Sequence, residues 1–344
     1  MIIEKIKITP YQLLFKKEYK NAKFSINKRD GWIIQIHSKG FIGYGDACPL
    51  DGFSLEGHSQ SGYGLEGFKL AITKSENIEL DELLHLSEAH GELQPSVEFA
   101  IQSAIYDLAS KLEGNPLNKY LNKDANKSVK INYYSDSLVT PFEGMIVKLK
   151  IQNNNLFDQL DMIDRAIDKF KGMAKLRLDL NGSYDLPRAI RLCSMLENKP
   201  IDYIEQPLPV GNFEDMYELS LHTDIPIAID ESITDIDSVY KVLDNQCADI
   251  FILKPMLIGG ITKLKDIIEL IKLHSKRLNI SSLLESNIGR LCYLHIASAF
   301  NLDEECGIAT EVFFKEDICQ FPFSSNGIID INSSHGIGVN EINL

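Results

Sequence analysis

Apolar and polar positions along the first fifty residues either alternate or run in short apolar stretches. IIEKIKITPYQLLF and GWIIQIHSKGFIGYGDA read as strands, the second folded back at a turn signal, Ser38-Lys39-Gly40. From about Gly57 to Gly91 the pattern becomes helical and acidic. Pro95-Ser96 then opens SVEFAIQSAIYDLASKLEG, an amphipathic helix that closes at Gly114 and is followed by Pro116. Strands first and helices after make residues 1 to about 125 an α+β unit.

A different rhythm starts near Val129. Eight short apolar runs follow as strand candidates: VKINYY, GMIVKLKI, AKLRLDL, DYIEQ, PIAID, DIFILK, NISSLLES and GIATEV. Between nearly all of them lies a helical period, at about 155–171, 185–198, 213–222, 235–244, 261–276 and 289–300. Alternating strands and helices predict a parallel sheet, and eight units of this length predict a β/α barrel over residues 126–312. Residues from about 313 to 344 have no helical period and are expected to return to the first unit.

Composition narrows the function classes. The 344 residues are 44% hydrophobic and 24% charged, ordinary for a soluble enzyme. A net charge of −14 lacks the clustered positive charge that nucleic acid requires. No apolar run approaches the ~20 residues of a membrane span. The start, MIIEKIKITPYQLLF, has no apolar core followed by a small-residue cleavage site, so secretion is not expected. Six scattered cysteines without a CxxC pair read as reduced thiols of a cytoplasmic protein. Eight histidines form no HExxH group, which argues against a zinc hydrolase.

Four residues share one local setting. Asp179, Glu205, Asp230 and Lys254 each end a short apolar run, 26, 25 and 24 residues apart. Such a spacing fits successive strand–loop–helix–loop units, and strand ends of a parallel barrel converge on one mouth. A single acid after a strand is more often a helix cap; three in register with a lysine call for another reason. Three carboxylates are hard oxygen donors suited to Mg²⁺, with Mn²⁺ as the alternative, and leave about half an octahedral shell for water and substrate oxygens. Lys148 and Lys150 stand two apart in VKLK, so both face one side of their strand. Asn181, two residues past Asp179, is placed to support such a metal shell.

VKLK, LRLDLNG, YIEQP, AIDES and ILKPMLIGG, in that order, resemble the enolase superfamily. GYGDACPLDGFSLE resembles its capping loops, and PSVEFAIQSAIYDLASKLEG its cap helix, so the resemblance covers essentially the whole chain. It implies an α/β fold, a modified (β/α)8-type barrel of the (β/α)7β form with an α+β capping domain. It also implies Asp179, Glu205 and Asp230 as Mg²⁺ ligands, and a small-molecule carboxylate as substrate. In this superfamily a lysine or histidine base works beside Mg²⁺ on an ene-diolate. That assigns Lys150 as the base in its neutral form, Lys148 as the partner of the bound carboxylate, and Lys254 as the opposing cation or acid. The lysine pattern resembles the muconate-lactonizing subgroup. ISSLLESNIG lacks the histidine base of the mandelate racemase-like members, and GIATEVFFKED lacks the DxD of dipeptide epimerases. What remains resembles the o-succinylbenzoate synthases, with N-succinylamino acid racemases as the alternative. Asn181, Phe53, Ser54, Ser281, Ser282, Glu285 and Ser286 are the substrate-binding candidates.

Overall fold

The computed structural model describes residues 1–20, 25–72, 77–135, 137–151 and 155–344. Strands β1 (Lys5–Lys20), β2 (Ser25–Ser38) and β3 (Phe41–Ala47) form an antiparallel sheet in that order. Helices α1 (His58–Ala71), α2 (Leu80–Gly91) and α3 (Pro95–Leu112) follow. One sheet face buries Ile34 and Ile36 with Phe68, Leu83, Ile101 and Leu108 of these helices in a single apolar cluster. Contact between α3 and β3 is backbone-close. A Cβ at Gly43 would lie 2.1 Å from the Ala104 carbonyl oxygen, and one at Gly45 would lie 1.8 Å from that of Ala100. Any side chain on these alternate positions would lift the helix off the strand.

After the short helix α4 (Leu117–Leu121) and strand β4 (Ser128–Lys130), the chain builds one seven-stranded parallel sheet. Its strands are β5 (Tyr133–Tyr134), β6 (Met145–Lys150), β7 (Ala174–Asp179), β8 (Ile201–Glu205), β9 (Ile227–Ile229), β10 (Ile250–Leu253) and β11 (Arg277–Ile280), neighbours in sequence order. Between them run α5 (Leu156–Lys169), α6 (Leu186–Leu196), α7 (Phe213–Ser220), α8 (Ile236–Asp244), α9 (Pro255–Ile258) and α10 (Ile261–Leu273), and α11 (Asn287–Ala299) follows β11. Helices such as α6 and α10 turn an apolar stripe to the sheet, Leu192 and Leu196 on the one and Ile267 and Ile271 on the other, whereas α11 is buried on all sides. The α/β barrel with a separate antiparallel N-terminal unit is the fold the pattern predicts.

Two details differ from the expected strands. VKINYY is split: β4 pairs antiparallel with β12 (Ile328–Asp330), and only Tyr133–Tyr134 joins the barrel. GIATEV forms no ladder. The chain there meets its neighbours at single bridges, Ile131 with Cys306 and Ser281 with Gly307. The Cys306 N–H donates to Lys130 (2.8 Å) and the Gly307 N–H to Ile280 (2.8 Å), which suffices to close the barrel between β11 and β5. Ser281 Oγ would sit 2.8 Å from a Cβ at Gly307, so the approach is too close for a larger residue, and the chain turns away into a 3₁₀ turn at Glu311–Phe313.

Below the strand ends, the barrel interior is filled by Tyr203, Ala228, Ile250 and Ile252. The buried Arg177 guanidinium stacks 4.7 Å from the Tyr203 ring centre and pairs with Asp202 and Glu305. This layer is a floor, not a channel. Among the described residues no helix is long and apolar enough to cross a membrane. All six cysteines are unpaired, five of them buried and Cys319 half-buried.

Candidate active site

Sheet register explains why distant residues meet. Lys150 is the Cα partner of Asp179, and Asp179 of Glu205, so the last residues of β6, β7 and β8 form one row. Asp230 follows β9 and Lys254 follows β10 directly. Second and sixth in the barrel, β6 and β10 are separated by three strands, which puts their lysines on opposite walls. Between them lies a cavity lined by Lys148, Lys150, Asp179, Asp230 and Lys254, with Leu50, Phe53 and Leu284 at its cover. Its volume is about 40 Å³. That is room for a few waters.

Charges interlock across the site. Lys148 Nζ lies 2.6 Å from Glu205 Oε1 and 3.1 Å from Asp179 Oδ2, and Lys150 Nζ lies 3.3 Å from the same Asp179 oxygen. Lys254 Nζ binds both oxygens of Asp230. Aromatic faces cover the two outer ammonium groups: the Tyr19 ring centre is 5.3 Å from Lys150 Nζ, and the Phe53 ring centre is 5.6 Å from Lys254 Nζ. Burial opposes charge on all three lysines, yet their neighbours outweigh it. Asp179, Glu205 and Asp230 hold the Lys148 ammonium well above its ordinary value, Tyr19 and Asp179 do so for Lys150, and Asp230 and Glu231 for Lys254. The carboxyls are unequal. Burial would raise Asp179, but the three ammonium groups pull it well below the usual range. Burial and the Asp179 charge push Glu205 up to about 8 despite its bond to Lys148.

The donor set suits a hard divalent cation. Glu205 Oε2 and Asn181 Oδ1 are buried without a hydrogen-bond partner, and Asp179 Oδ2 has ion pairs but no hydrogen bond. Such oxygens are costly unless something positive reaches them. Among the described residues, however, no three His, Cys, Asp or Glu side chains are gathered closely enough to chelate an ion. Ammonium groups stand between the carboxylates instead, so a cation would have to displace Lys148 and Lys254 from Glu205 and Asp230.

The remaining sequence candidates divide. Phe53, Asn181, Ser281 and Ser282 line the cavity. Ser54, Glu285 and Ser286 do not, because each is spent on holding a loop. Ser54 Oγ accepts the Leu50 N–H (2.9 Å), and Glu285 accepts from Ser282 Oγ (2.6 Å) and the Leu283 N–H (2.7 Å). Ser286 caps α11 and donates its hydroxyl to Asp46 (2.6 Å). Sequence reading missed Tyr19, Tyr134 and Thr310 of the lining. It also missed Gln206, at φ 37°, whose Oε1 accepts the Asp230 N–H (3.0 Å) and so fixes that strand end. The QP step after YIE was a signal for a special backbone; the tyrosines carried none.

Residues 144–341 match the family described as enolase C-terminal domain-like. Chloromuconate cycloisomerase of Pseudomonas putida is 24% identical over 98% of this chain and 96% of its own. The o-succinylbenzoate synthase of Bacillus subtilis is 24% identical over 99% of this chain and 94% of its own. Among solved structures, a dipeptide epimerase from Enterococcus faecalis complexed with Mg and a dipeptide superposes with a TM-score of 0.88 at 19% identity, covering 99% of this chain and 100% of that one. An N-succinyl Arg/Lys racemase from Bacillus cereus gives 0.89 at 19% identity, covering 100% and 96%. These chains share the fold but catalyse different reactions. The family match, across the segment that carries every strand-end lysine and carboxylate described above, makes this chain an enzyme of the enolase superfamily.

Proposed function

We propose that the protein is a Mg²⁺-dependent carbon–oxygen lyase that dehydrates 2-succinyl-6-hydroxy-2,4-cyclohexadiene-1-carboxylate to o-succinylbenzoate, a step of menaquinone synthesis. The observation that carries the reading is the pair of buried ammonium groups, Lys150 and Lys254, facing one cavity from opposite strands with three carboxylates between. The full-length likeness to an o-succinylbenzoate synthase supports the choice of substrate.

Asp179, Glu205 and Asp230 would hold Mg²⁺, with Asn181 supporting Asp179 through its N–H (3.1 Å). Bound there, Mg²⁺ would compete with the lysines for Asp179 and stabilise the second negative charge that grows on the substrate carboxylate as the α-proton leaves. Lys150, as the free amine, takes the α-proton, and the same Nζ returns it to the departing hydroxide as water. Lys254 remains protonated and faces the electron-rich ring, with Phe53 shielding it from solvent. Lys148 steadies the reacting carboxylate. Ser281 and Ser282 offer a polar wall for the succinyl end. A cytoplasmic location fits a soluble substrate and six unpaired cysteines.

Racemisation of an N-succinylamino acid is the second reading, favoured by the same pair of lysines: Lys254 would then exchange a proton on the opposite face. Lys150→Ala tests the shared core. Its turnover should fall by about 10²–10⁴ while circular dichroism stays unchanged and Mg²⁺ binding is retained. Turnover within a few-fold of the unaltered enzyme would remove Lys150 as the base.

A further inference from the structure

A second cavity lies between the capping unit and the α8–α10 side of the barrel. Its volume is about 410 Å³, and Phe53 lines both this cavity and the catalytic one. The size is that of a small-ligand pocket. Leu55, Pro95, Leu257, Ile258 and Ile267 make its walls largely apolar.

Two acids line this apolar space, Glu56 (3% exposed) and Glu98 (fully buried). Each is half satisfied. One oxygen of Glu56 accepts the Ser96 N–H (2.7 Å), and one of Glu98 takes the Lys263 ammonium. The others, Glu56 Oε2 and Glu98 Oε1, are buried with no hydrogen-bond partner. Glu98 is tightly packed. Gly91 packs on it so closely that a Cβ there would lie 2.3 Å from Glu98 Cβ, and Gly259, at φ +110°, would place one 2.9 Å from Glu98 Oε2. Glu92, Asp235 and Asp266 add three exposed carboxylates to the lining, against the single Lys263 ammonium. Burial pushes the Glu98 carboxyl up, and Lys263 with the Gly260 N–H draws it back.

We propose that this cavity binds an organic cation with a short alkyl body, a primary ammonium or a guanidinium, whose charged head meets Glu56 Oε2 and Glu98 Oε1 while its carbon chain lies on Leu257 and Ile258. The site is separate from the substrate's: an anionic carboxylate is repelled by five acids. Its position gives it a consequence, because an occupant braces Phe53, whose ring covers the Lys254 ammonium from the other side.

Calorimetric titration of the full chain with n-pentylammonium, and with n-pentanol as neutral isostere, tests the assignment independently of which reaction the enzyme catalyses. Saturable binding of pentylammonium, at least about tenfold tighter than pentanol, is expected, and Glu98→Gln should lose that advantage. Glu56→Gln carries the same expectation should Glu98→Gln fail to fold. Asp230→Asn, in the catalytic cavity, should bind pentylammonium as the unaltered protein does. Equal binding of the two probes, no saturable binding, full affinity in both glutamine variants, or loss in Asp230→Asn would each overturn the proposal.

Discussion

Lys254 and Asp230 illustrate how the site is poised at the level of single residues. The Lys254 ammonium holds both oxygens of Asp230, where the proposed reading would put a divalent cation. Asp230→Asn removes a charge from the donor set and should weaken Mg²⁺ binding by at least about tenfold in calorimetry; unchanged affinity would break its assignment as a ligand. The positions of Lys150, Asp179, Glu205, Asp230 and Lys254 were legible because each sits at or just past a strand end, and that of Lys148 because it stands two before Lys150 on the same face. Tyr19 and Tyr134 were not, since a tyrosine in a strand looks the same whether it faces core or cavity. Glu285 misled for a related reason: a polar residue beside a site can serve the loop rather than the ligand, as its bonds to Ser282 and Leu283 do.

Helices were read from their apolar stripes, and their ends fell within a few residues of expectation: 155–171 against Leu156–Lys169, and 289–300 against Asn287–Ala299. GIATEV failed as a strand because its ladder shrank to two bridges, something apolar content alone does not reveal. Helix α11 carries a testable consequence. His295 is buried, its Nδ1 accepts the Asn118 N–H (3.2 Å), and burial lowers its pKa to about 4. The unfolded chain, with an ordinary value near 6.5, therefore binds more protons between those limits, and stability falls as pH drops from about 6.5 to about 4. The full difference is on the order of 3 kcal/mol. Urea unfolding of His295→Gln should show a correspondingly shallower acid loss; parallel profiles would contradict a neutral buried imidazole.

At the scale of the whole molecule, the α+β unit and the barrel were foreseeable from their rhythms, but the ties between them were not. Arg29 donates to the Leu284 carbonyl 255 residues away, and Ser286 to Asp46 across 240 residues, separations that leave no local pattern. The final segment is held in the same way. Buried Lys111 donates to Asp107 (2.8 Å) and to the Ile42 and Val339 carbonyls (2.7 and 2.8 Å), while Asp107 accepts the Ile337 N–H (2.8 Å). Lys111→Met leaves Asp107 charged and unpaired in the interior and should cost about 3–5 kcal/mol in urea unfolding, with Asp107→Asn added to it restoring part of the loss. A loss below about 1 kcal/mol would show that the staple is dispensable. Catalysis needs this frame, because Leu50 and Phe53 of one unit help cover a cavity whose lysines and carboxylates belong to the other. The most direct test is turnover of 2-succinyl-6-hydroxy-2,4-cyclohexadiene-1-carboxylate by the purified protein, followed by loss of the diene absorbance with Mg²⁺ and after chelation. Fast loss with Mg²⁺ that stops on chelation and returns when the metal is restored is the predicted result; no loss with Mg²⁺ present would contradict the dehydratase.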